Sequence, residues 1–177
     1  MFAFRLRPVL HALLPLLAAP ALMGGLGARQ DFDARLLAAQ NRERTTMGVA
    51  PLKWSAPLAS EAQVWARYLA RTGKFEHSPD DPAAEPQGEN LWAGSVDQYQ
   101  PESMVGLWVA EKRHFKAGVF PDNSRTGHVE SVSHYTQLVW ANTNQVGCAM
   151  ERGREEDFLV CRYAQAGNVM GERPLRA

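Results

Sequence analysis

The segment 134–140, with the sequence His-Tyr-Thr-Gln-Leu-Val-Trp, constrains the possible folds most strongly. We predict a β-strand here. Side chains alternate between the two faces of a strand, so His134, Thr136, Leu138 and Trp140 would share one face. A histidine at the start of such a strand would lie where the core meets a cleft, and His134 is therefore a candidate functional residue.

Two glutamates and a second histidine lie upstream in settings that are equally informative. His77 occurs in Phe-Glu-His-Ser, Glu89 in Gly-Glu-Asn-Leu-Trp, and Glu111 in Trp-Val-Ala-Glu. With His134 they form a set of two histidines and two glutamates spread over most of the chain. Each residue alone has an ordinary explanation as a surface, loop or ion-paired group, so the set needs further support.

Glu111 is the most unusual member of the set, because it interrupts an apolar helix face. A helix predicted to begin near Pro101 places Met104, Trp108, Glu111 and Phe115 on one stripe, at steps of four, three and four. A carboxylate on a face that is otherwise buried must be paired, hydrogen-bonded, coordinated or neutralised.

An earlier helix is predicted near the start of the globular part of the chain. Residues 31–46 have apolar positions at helical spacing, and Asp31 or Asp33 could cap the first turn. Gly48 suits the left-handed conformation that commonly ends a helix, and a proline follows soon after it.

A second helix is predicted to open at Ser55 and to close at Gly73. Proline-rich and polar segments over 78–88 and 116–133 predict loops, and the second is long enough to suggest a functional loop. Strands follow as far as Tyr163. Helices succeeded by strands predict an α+β fold.

Composition narrows the class of protein. The chain has 177 residues, of which 45% are hydrophobic and 21% charged, so it is large enough for one domain with its own core. The formal net charge is zero. This balance predicts neither nucleic acid nor an anionic membrane as a partner.

The N-terminus has the layout of a secretory signal. Arg5 and Arg7 precede an acid-free apolar run over residues 9–23, which prolines interrupt. A stable membrane span needs about 20 uninterrupted apolar residues, so none is predicted. We predict a signal peptide over 1–28, with cleavage between residues 21 and 29, and a single mature domain over 29–177. A retained N-terminal anchor is the alternative.

Export would place the protein outside the cell or in the periplasm, where cysteines oxidise. Cys148 and Cys161 are the only cysteines, and each lies within a predicted strand on either side of a charged turn over 151–157. In a symmetric hairpin they would be directly opposite, at a separation that a disulfide can bridge. Two buried free thiols are the alternative.

Taken together, the motifs resemble the CAP superfamily of cysteine-rich secretory proteins, antigen 5 and pathogenesis-related 1, also called SCP-like extracellular proteins. The resemblance covers about residues 33–173, and its motifs follow the family's order. The motifs are Asn41-Arg42 with Gly48-Val49 and Pro51-Leu52-x-Trp54, His77-Ser78, Gly88-Glu89-Asn90-Leu91, Trp108-x-x-Glu111, the segment 134–140, Cys161-x-Tyr163 with Gly167-Asn168, and Gly171-Glu172-Arg173-Pro174.

The resemblance implies a three-layer α-β-α sandwich with a central antiparallel sheet and a large cleft. It also implies that His77, Glu89, Glu111 and His134 form a tetrad in that cleft. This agrees with the unusual position of Glu111 on an apolar stripe.

The chain departs from the family pattern in three places. Ser133 stands where a glycine usually precedes the motif histidine, and residues 164–166 lack a common proline. One possible cysteine pair replaces the three disulfides of plant members. The fold should survive these changes, but detailed functions of plant or venom members do not transfer with it.

Two imidazoles and two carboxylates suit a divalent metal, most naturally Zn²⁺. We predict His77 and His134 as the direct ligands, and Glu89 and Glu111 as groups that orient them. No His-Glu-x-x-His protease motif occurs. The alternatives are a metal-dependent hydrolase, a serine nucleophile at Ser78, and a hydrogen-bonded network that organises the cleft without chemistry.

The resemblance also implies that loops near the cleft bind lipids or sterols. An apolar ligand wall could be formed by Leu91, Trp92, Tyr99, and Val119 with Phe120. The alternative is that these are core residues under loops. A further pair, His128 and Glu130, is predicted to be solvated loop residues, with a metal role as the alternative. The preferred reading is a secreted domain whose cleft binds a metal or small ligand without turnover.

Overall fold

The structure is a computed structural model that describes residues 21–79 and 81–176. Its helices are α1 Ala21–Thr46, α2 Ala56–Thr72, α3 Pro101–Ala110 and α4 Ser133–Leu138, with short 3-10 helices at Glu111–His114 and Val129–Ser131. Its strands are β1 Lys53–Trp54, β2 Gly88–Ser95, β3 Gln145–Arg152 and β4 Glu156–Ala164. The predicted signal peptide lies largely outside the described residues, and its last part, 21–28, belongs to α1.

The four strands form one sheet in the order β1-β3-β4-β2. β4 pairs antiparallel with both of its neighbours, and the short strand β1 adds a parallel edge to β3. One core cluster joins one face of the sheet to α1, α3 and α4, and a second joins the other face to α2. The predicted α+β fold with three α-β-α layers is therefore confirmed.

Alternation along the strands fills both core clusters. In β2, Leu91 faces α2 whereas Trp92 faces the other helices, because successive side chains of a strand point to opposite faces. Gly147 of β3 allows α2 to approach the sheet closely, since a Cβ there would lie 2.2 Å from the backbone nitrogen of Ala59.

Both ends of α2 match the sequence prediction. The Ser55 hydroxyl accepts a hydrogen bond from the Leu58 backbone nitrogen at 3.5 Å, and Gly73 has a φ of 67° in the left-handed region. The predicted end of α1 is also confirmed, since α1 stops at Thr46 and Gly48 has a φ of 70°. These signals are local, which is why the sequence alone reveals them.

The predicted start of α1 is wrong. The described helix begins at Ala21, so Asp31 and Asp33 lie inside it and do not cap its first turn. The apolar periodicity used for the prediction marks only the part of α1 that packs on the core, where Leu36 is fully buried. Helical turns that precede these apolar positions give no such signal in the sequence.

The predicted strand over 134–140 is also wrong. Residues Ser133–Leu138 form helix α4, so His134, Thr136, Leu138 and Trp140 do not share one strand face. Every residue from Tyr135 to Trp140 is buried. With four of its six residues buried, this short helix lacks the polar face that produces a helical period, and the alternation of residue types then resembles that of a strand.

Polar residues in this helix are hydrogen-bonded to side chains and backbone of the segments around it. The side chain of Gln137 accepts a hydrogen bond from the Gly167 nitrogen at 2.8 Å and donates one to the Thr143 hydroxyl at 3.2 Å. Thr136 donates to the side chain of Asn168 at 2.6 Å. These bonds offset the cost of burying an amide and a hydroxyl in the core.

Arg44 fastens the end of α1 to the segment after α4. Its side chain is fully buried and donates to the carbonyls of Ala50, Leu138, Trp140 and Thr143 at 2.7–2.9 Å. Burial lowers the pKa of the guanidinium to about 10. The contacts show that backbone carbonyls, rather than a carboxylate, balance this buried cation.

Cys148 and Cys161 face each other across β3 and β4 and form a disulfide with a Cα–Cα distance of 4.1 Å. The predicted hairpin and cross-link are therefore confirmed. Of the helices in the described part of the chain, none combines the length and apolar character needed to cross a bilayer.

Candidate functional site

His77 and Glu89 form the first of two histidine–glutamate pairs. Glu89 lies in β2, and His77 lies in the extended segment between α2 and the proline-rich loop. Their side chains meet at 2.7 Å, between Nδ1 of the imidazole and Oε1 of the carboxylate. Ser78 adds two hydrogen bonds to the same carboxylate, from its backbone nitrogen at 3.1 Å and its hydroxyl at 2.9 Å.

Arg162 supports this pair from the neighbouring strand. It is the register partner of Glu89 on β4, and its Nη2 lies 3.5 Å from Glu89 Oε2 and donates to the Ser78 hydroxyl at 2.7 Å. Sequence reasoning missed Arg162, because the pairing of β2 with β4 is a tertiary relationship. The available signal in the sequence was the charge of Arg162 itself, which lies between Cys161 and Tyr163 in a predicted strand.

These contacts shift the pKa values of both partners. Burial raises the pKa of Glu89, but hydrogen bonds from His77 and Ser78 together with the charge of Arg162 outweigh it, so the carboxyl pKa lies below its usual value. The hydrogen bond to Glu89 raises the pKa of His77, although partial burial opposes the shift. Each partner therefore favours the ionised form of the other.

His134 and Glu111 form the second pair. Glu111 opens the 3-10 helix after α3, and His134 lies in the first turn of α4. Nδ1 of the imidazole lies 2.6 Å from Oε1 of the carboxylate, and the backbone nitrogen of Tyr135 donates to Oε2 at 3.1 Å. The inward-facing carboxylate that the sequence predicted is thus satisfied by an imidazole and a helix-terminal amide.

Two further residues hold His134 in place. The indole of Trp108 stacks on its imidazole, with centroids 6.2 Å apart and an interplanar angle of 9°. The side chain of Asn90 donates to the His134 carbonyl at 3.1 Å and lies 3.3 Å from the hydroxyl of Tyr163. Asn90 follows Glu89 in β2, so one strand contacts both histidine segments.

The two imidazoles differ in exposure but share one geometric property. The His77 side chain is 63% exposed and that of His134 is 30% exposed. In each, Nδ1 is taken by a carboxylate, and within residues 21–79 and 81–176 no group hydrogen-bonds Nε2. The pairs therefore leave one nitrogen of each ring available for another ligand.

The structure places the four residues of the predicted tetrad in two histidine–glutamate contacts, His77 with Glu89 and His134 with Glu111. Among the residues that the structure describes, no three His, Cys, Asp or Glu side chains gather closely enough to hold a metal ion. The histidines and glutamates are thus arranged two by two, and any metal bound between them would complete its coordination with water or with another ligand.

A cavity of about 750 Å³ opens beside the first pair. It lies between α2, the proline-rich loop and the edges of β2 and β4. Its lining residues are Glu61, His77, Ser78, Pro79, Asp81, Pro82, Ala84, Glu85, Pro86, Gln87, Glu89 and Arg162. His134 and Glu111 are not part of this lining.

The predicted apolar wall is placed differently from this cavity. Leu91, Trp92 and Phe120 are buried, and Tyr99 is 42% exposed and packs edge-on against Trp92. None of these residues lines the cavity described above. Phe120 instead packs against Trp140 in the core, and Val119 is 38% exposed.

The remaining candidate residues are His128, Glu130 and Ser78. His128 and Glu130 are exposed in and beside the second 3-10 helix, as solvated residues would be. The hydroxyl of Ser78 donates to Glu89 and accepts from Arg162, so it is hydrogen-bonded to neither imidazole. This arrangement lacks the contact between nucleophile and base that a serine mechanism requires.

Fold and site together define a disulfide-linked α-β-α sandwich domain with two histidine–carboxylate pairs. The family model for the cysteine-rich secretory protein family, CAP, matches residues 37–163, and the chain belongs to this family. Pathogenesis-related protein PR-1 of Medicago truncatula is 35% identical over 147 residues, which cover 82% of this chain and 80% of that protein. Pathogenesis-related leaf protein 4 of Solanum lycopersicum is 36% identical over 146 residues, covering 82% and 84%.

Solved structures share the fold. The crystal structure of NaASP2 with Zn²⁺ superposes with a TM-score of 0.68 at 21% identity, covering 81% of this chain and 84% of that one. Hookworm Platelet Inhibitor gives a TM-score of 0.64 at 17% identity, covering 82% and 75%. At this level of identity the likeness concerns the fold.

Proposed function

We propose that this chain is an exported CAP domain that binds a divalent metal through Nε2 of His77 and His134 and receives a small or lipid ligand in its cleft. Turnover is not part of the proposal. The observation that carries it is the geometry of the two pairs, in which a carboxylate occupies Nδ1 of each ring and no group in residues 21–79 and 81–176 hydrogen-bonds Nε2.

The chemistry of the donor set fits a metal such as Zn²⁺. Histidines that bind metals usually donate the other ring N–H to a carboxylate, which fixes the tautomer and makes the free nitrogen more basic. Glu89 and Glu111 are placed to do this for the two rings. The fold neighbour NaASP2 was crystallised with Zn²⁺, which supports testing this ion first.

A metal-dependent hydrolase is the alternative function. A bound Zn²⁺ would supply a polarised water or a Lewis acid. In that case Glu89 and Glu111 would orient the imidazoles, and the cavity beside His77 would receive the substrate. We favour binding without turnover, because both carboxylates are already engaged by imidazoles and amides, and neither is a free general base.

Two features support the proposal that the protein is exported. The basic residues and apolar run before residue 24 have the layout of a signal peptide, and the disulfide is typical of oxidising compartments. We therefore propose a secreted or periplasmic protein whose mature domain spans 29–177. N-terminal sequencing of exported protein tests this, and a mature chain that begins at Met1 would contradict it.

Calorimetric titration with Zn²⁺ tests the metal proposal. We expect the double variant His77→Ala/His134→Ala to lose binding, Glu111→Gln to weaken it less, and Glu130→Gln, an exposed control, to leave it unchanged. Wild-type affinity in the double variant would leave the pairs as a structural network. Turnover of ester, peptide or glycan substrates above that of His134→Ala would instead favour the hydrolase.

A further inference from the structure

Glu43 lies in the last turn of α1 and bonds the chain neighbours of both members of the second pair. Its Oε1 accepts hydrogen bonds from Nζ of Lys112 at 2.9 Å and from the hydroxyl of Tyr135 at 3.0 Å. Lys112 follows Glu111 directly in the sequence. Tyr135 follows His134 in the same way. One oxygen atom therefore joins the two segments that carry the pair.

The end of α1 gives this oxygen a fixed support. Arg44, the next residue, is fully buried and donates to four backbone carbonyls. Asn41, two residues earlier, donates to the Leu52 carbonyl at 3.0 Å and accepts from the Leu52 nitrogen at 2.7 Å. The Glu43 side chain itself is 12% exposed. Because its backbone is anchored on both sides, Glu43 can hold its two donors in a defined place.

Tyr135 transmits this support to the pair. Its hydroxyl donates to Glu43, whereas its backbone nitrogen donates to Oε2 of Glu111 at 3.1 Å. Tyr135 is fully buried and packs edge-on against Phe115, with ring centroids 5.4 Å apart. A buried phenol that loses its acceptor must find another partner. A movement of Tyr135 to do so would displace the N–H group that Glu111 accepts.

The second pair depends on such support more than the first pair does. In the first pair, Ser78 and Arg162 contact the Glu89 carboxylate directly. Among the residues that the structure describes, the carboxylate of the second pair receives hydrogen bonds only from its imidazole and from the Tyr135 nitrogen. The position of these two donors orients the carboxylate, and the position of one of them depends on Glu43.

The contact between Glu111 and His134 decides which nitrogen of the ring can bind a metal. An ionised carboxylate only accepts hydrogen bonds, so Nδ1 must carry the proton of a neutral ring in this contact. Nε2 then keeps the lone pair that coordination requires. If the contact loosens, the other tautomer becomes populated, and its Nε2 carries a proton instead of a free lone pair.

We infer that Glu43 is a positioning residue of the proposed metal site. By holding the residues that follow Glu111 and His134 to one oxygen, it fixes the contact between those two side chains. The inference rests on the proposed function, because it concerns how firmly His134 presents Nε2 to a metal. It extends the site to α1, which carries none of the four residues of the tetrad.

Nitrogen-15 NMR of the imidazoles in the metal-free protein tests the inference without a metal. The measurement is made at about pH 8, where an ordinary imidazole is neutral. In wild type we expect His134 in the tautomer with its proton on Nδ1. Glu43→Ala should shift the two ring nitrogens of His134 towards the average of the two tautomers. The resonances of His77, which lies in the other pair, should not change.

Calorimetric titration with Zn²⁺ measures the consequence for binding. We expect Glu43→Ala to weaken the affinity about fivefold, which is less than the loss of a group that bonds a ligand directly. Glu43→Gln keeps an acceptor for the phenol and should bind more like wild type. Tyr135→Phe removes the phenol contact alone and tests the same support if Glu43→Ala does not fold. In the double variant Glu43→Ala/Tyr135→Phe the second change should add nothing, because the contact is already absent.

Glu102→Ala is the matched control for a purely structural effect. Glu102 of α3 is also bonded to α1, through Nε and Nη2 of Arg35 at 2.8 and 2.7 Å. Neither of these residues adjoins a member of the second pair in the sequence. We therefore expect this variant to lower the stability towards urea while the His134 resonances and the Zn²⁺ affinity stay as in wild type.

Unchanged His134 resonances in folded Glu43→Ala and Tyr135→Phe would overturn the inference, whether or not the protein binds Zn²⁺. An equal shift in Glu102→Ala would also overturn it, since loosening of any contact with α1 would then suffice. A shift confined to the brace variants Glu43→Ala and Tyr135→Phe, with weaker Zn²⁺ binding, supports both proposals. The same shift in a protein whose wild type binds no Zn²⁺ supports the positioning of His134 by Glu43 and refutes the metal proposal.

Discussion

The side chain of Asn90 donates a hydrogen bond to the backbone carbonyl of His134 at 3.1 Å. Asn90 is 1% exposed, and its neighbour in β2, Glu89, pairs with His77. Two consecutive residues near the start of β2 thus contact both histidine-bearing segments of the site. A buried network continues from Asn90 through Tyr163 to Gln40, whose amide lies 3.8 Å from the sulfur of Cys148.

Removing the Asn90 amide should therefore affect stability and the site together. We expect Asn90→Ala to lower the free energy of unfolding by about 2 kcal/mol, because the His134 carbonyl and Tyr163 hydroxyl lose a buried partner. Urea unfolding measures this loss. Zn²⁺ affinity should also fall in the folded variant, since His134 would be less well held. An unchanged unfolding midpoint would show that water replaces the amide at no cost.

Two glycines give opposite expectations for the same substitution. A Cβ on Gly88 would lie 1.9 Å from Gln137 Oε1, in a buried contact between β2 and α4. We expect Gly88→Ala to cost more than about 2 kcal/mol, because Gln137 must move and break its bonds to Gly167 and Thr143.

The control is Gly106→Ala in α3, where a Cβ meets no atom within 4 Å. Alanine is a better helix former than glycine, so this variant should gain up to about 1 kcal/mol. Thermal or urea unfolding of both variants checks the prediction. Equal destabilisation by the two substitutions would contradict the assigned role of the β2–α4 contact.

Features that depend on residues close together in the sequence were predicted better than features that depend on tertiary contacts. Ser55, Gly48 and Gly73 mark helix ends by their own chemistry, and the spacing of Cys148 and Cys161 about a charged turn predicted their pairing. Each of these depends on residues close together in the sequence.

The wrong strand prediction over 134–140 and the missed residue Arg162 both concern features that depend on tertiary contacts. Four of the six residues of α4 are buried, so Thr136 and Gln137 bond to groups distant in sequence, the Asn168 side chain and the Gly167 backbone nitrogen, instead of marking a solvent face. The support of Glu89 by Arg162 depends on strand register, which no local pattern encodes. The sequence singled out two histidines and two glutamates as a candidate set, whereas their arrangement as two pairs required the structure.

The disulfide offers a direct test of oxidation and stability. Intact mass should show no free thiol without reduction, because Cys148 and Cys161 are bonded and fully buried. Replacing both cysteines by alanine should lower the free energy of unfolding by about 3 kcal/mol on the chain-entropy model. Alkylation of both cysteines in native protein would contradict the cross-link.

The stability of the metal-free protein should depend on pH through His77 and Glu89. The pKa of His77 is raised by folding, so its contribution is present below the unfolded value of about 6.5 and is lost as pH rises through the folded pKa. The pKa of Glu89 is lowered, so its contribution is present above about 4.5 and is lost as pH falls through the folded pKa.

The pair should therefore stabilise most between about pH 4.5 and 6.5. Because His77 is 63% exposed, solvent screening should keep the effect below about 1 kcal/mol. Comparing the free energy of unfolding of wild type and His77→Gln from pH 4 to 8 measures it. A constant difference across this range would show that the imidazole does not exchange charge with Glu89.

The two histidines should contribute unequally to Zn²⁺ binding. His134 is held by Glu111, by stacking on Trp108 and by Asn90, whereas His77 is more exposed and is fixed mainly by Glu89. A ligand that is already positioned loses less entropy when a metal binds. We therefore expect His134→Ala to weaken binding about tenfold more than His77→Ala.

Titration at pH 7.5 and 6.0 tests both the order and the mechanism. Coordination needs neutral imidazoles, so wild-type affinity should fall at the lower pH. Trp108→Leu keeps an apolar side chain but removes the stacked ring, so His134 should be less firmly positioned. In that background, the losses of Zn²⁺ affinity caused by His134→Ala and by His77→Ala should become more similar. If His77→Ala is the more damaging variant, the exposed histidine is the principal ligand, and the rigid support of His134 serves the fold instead.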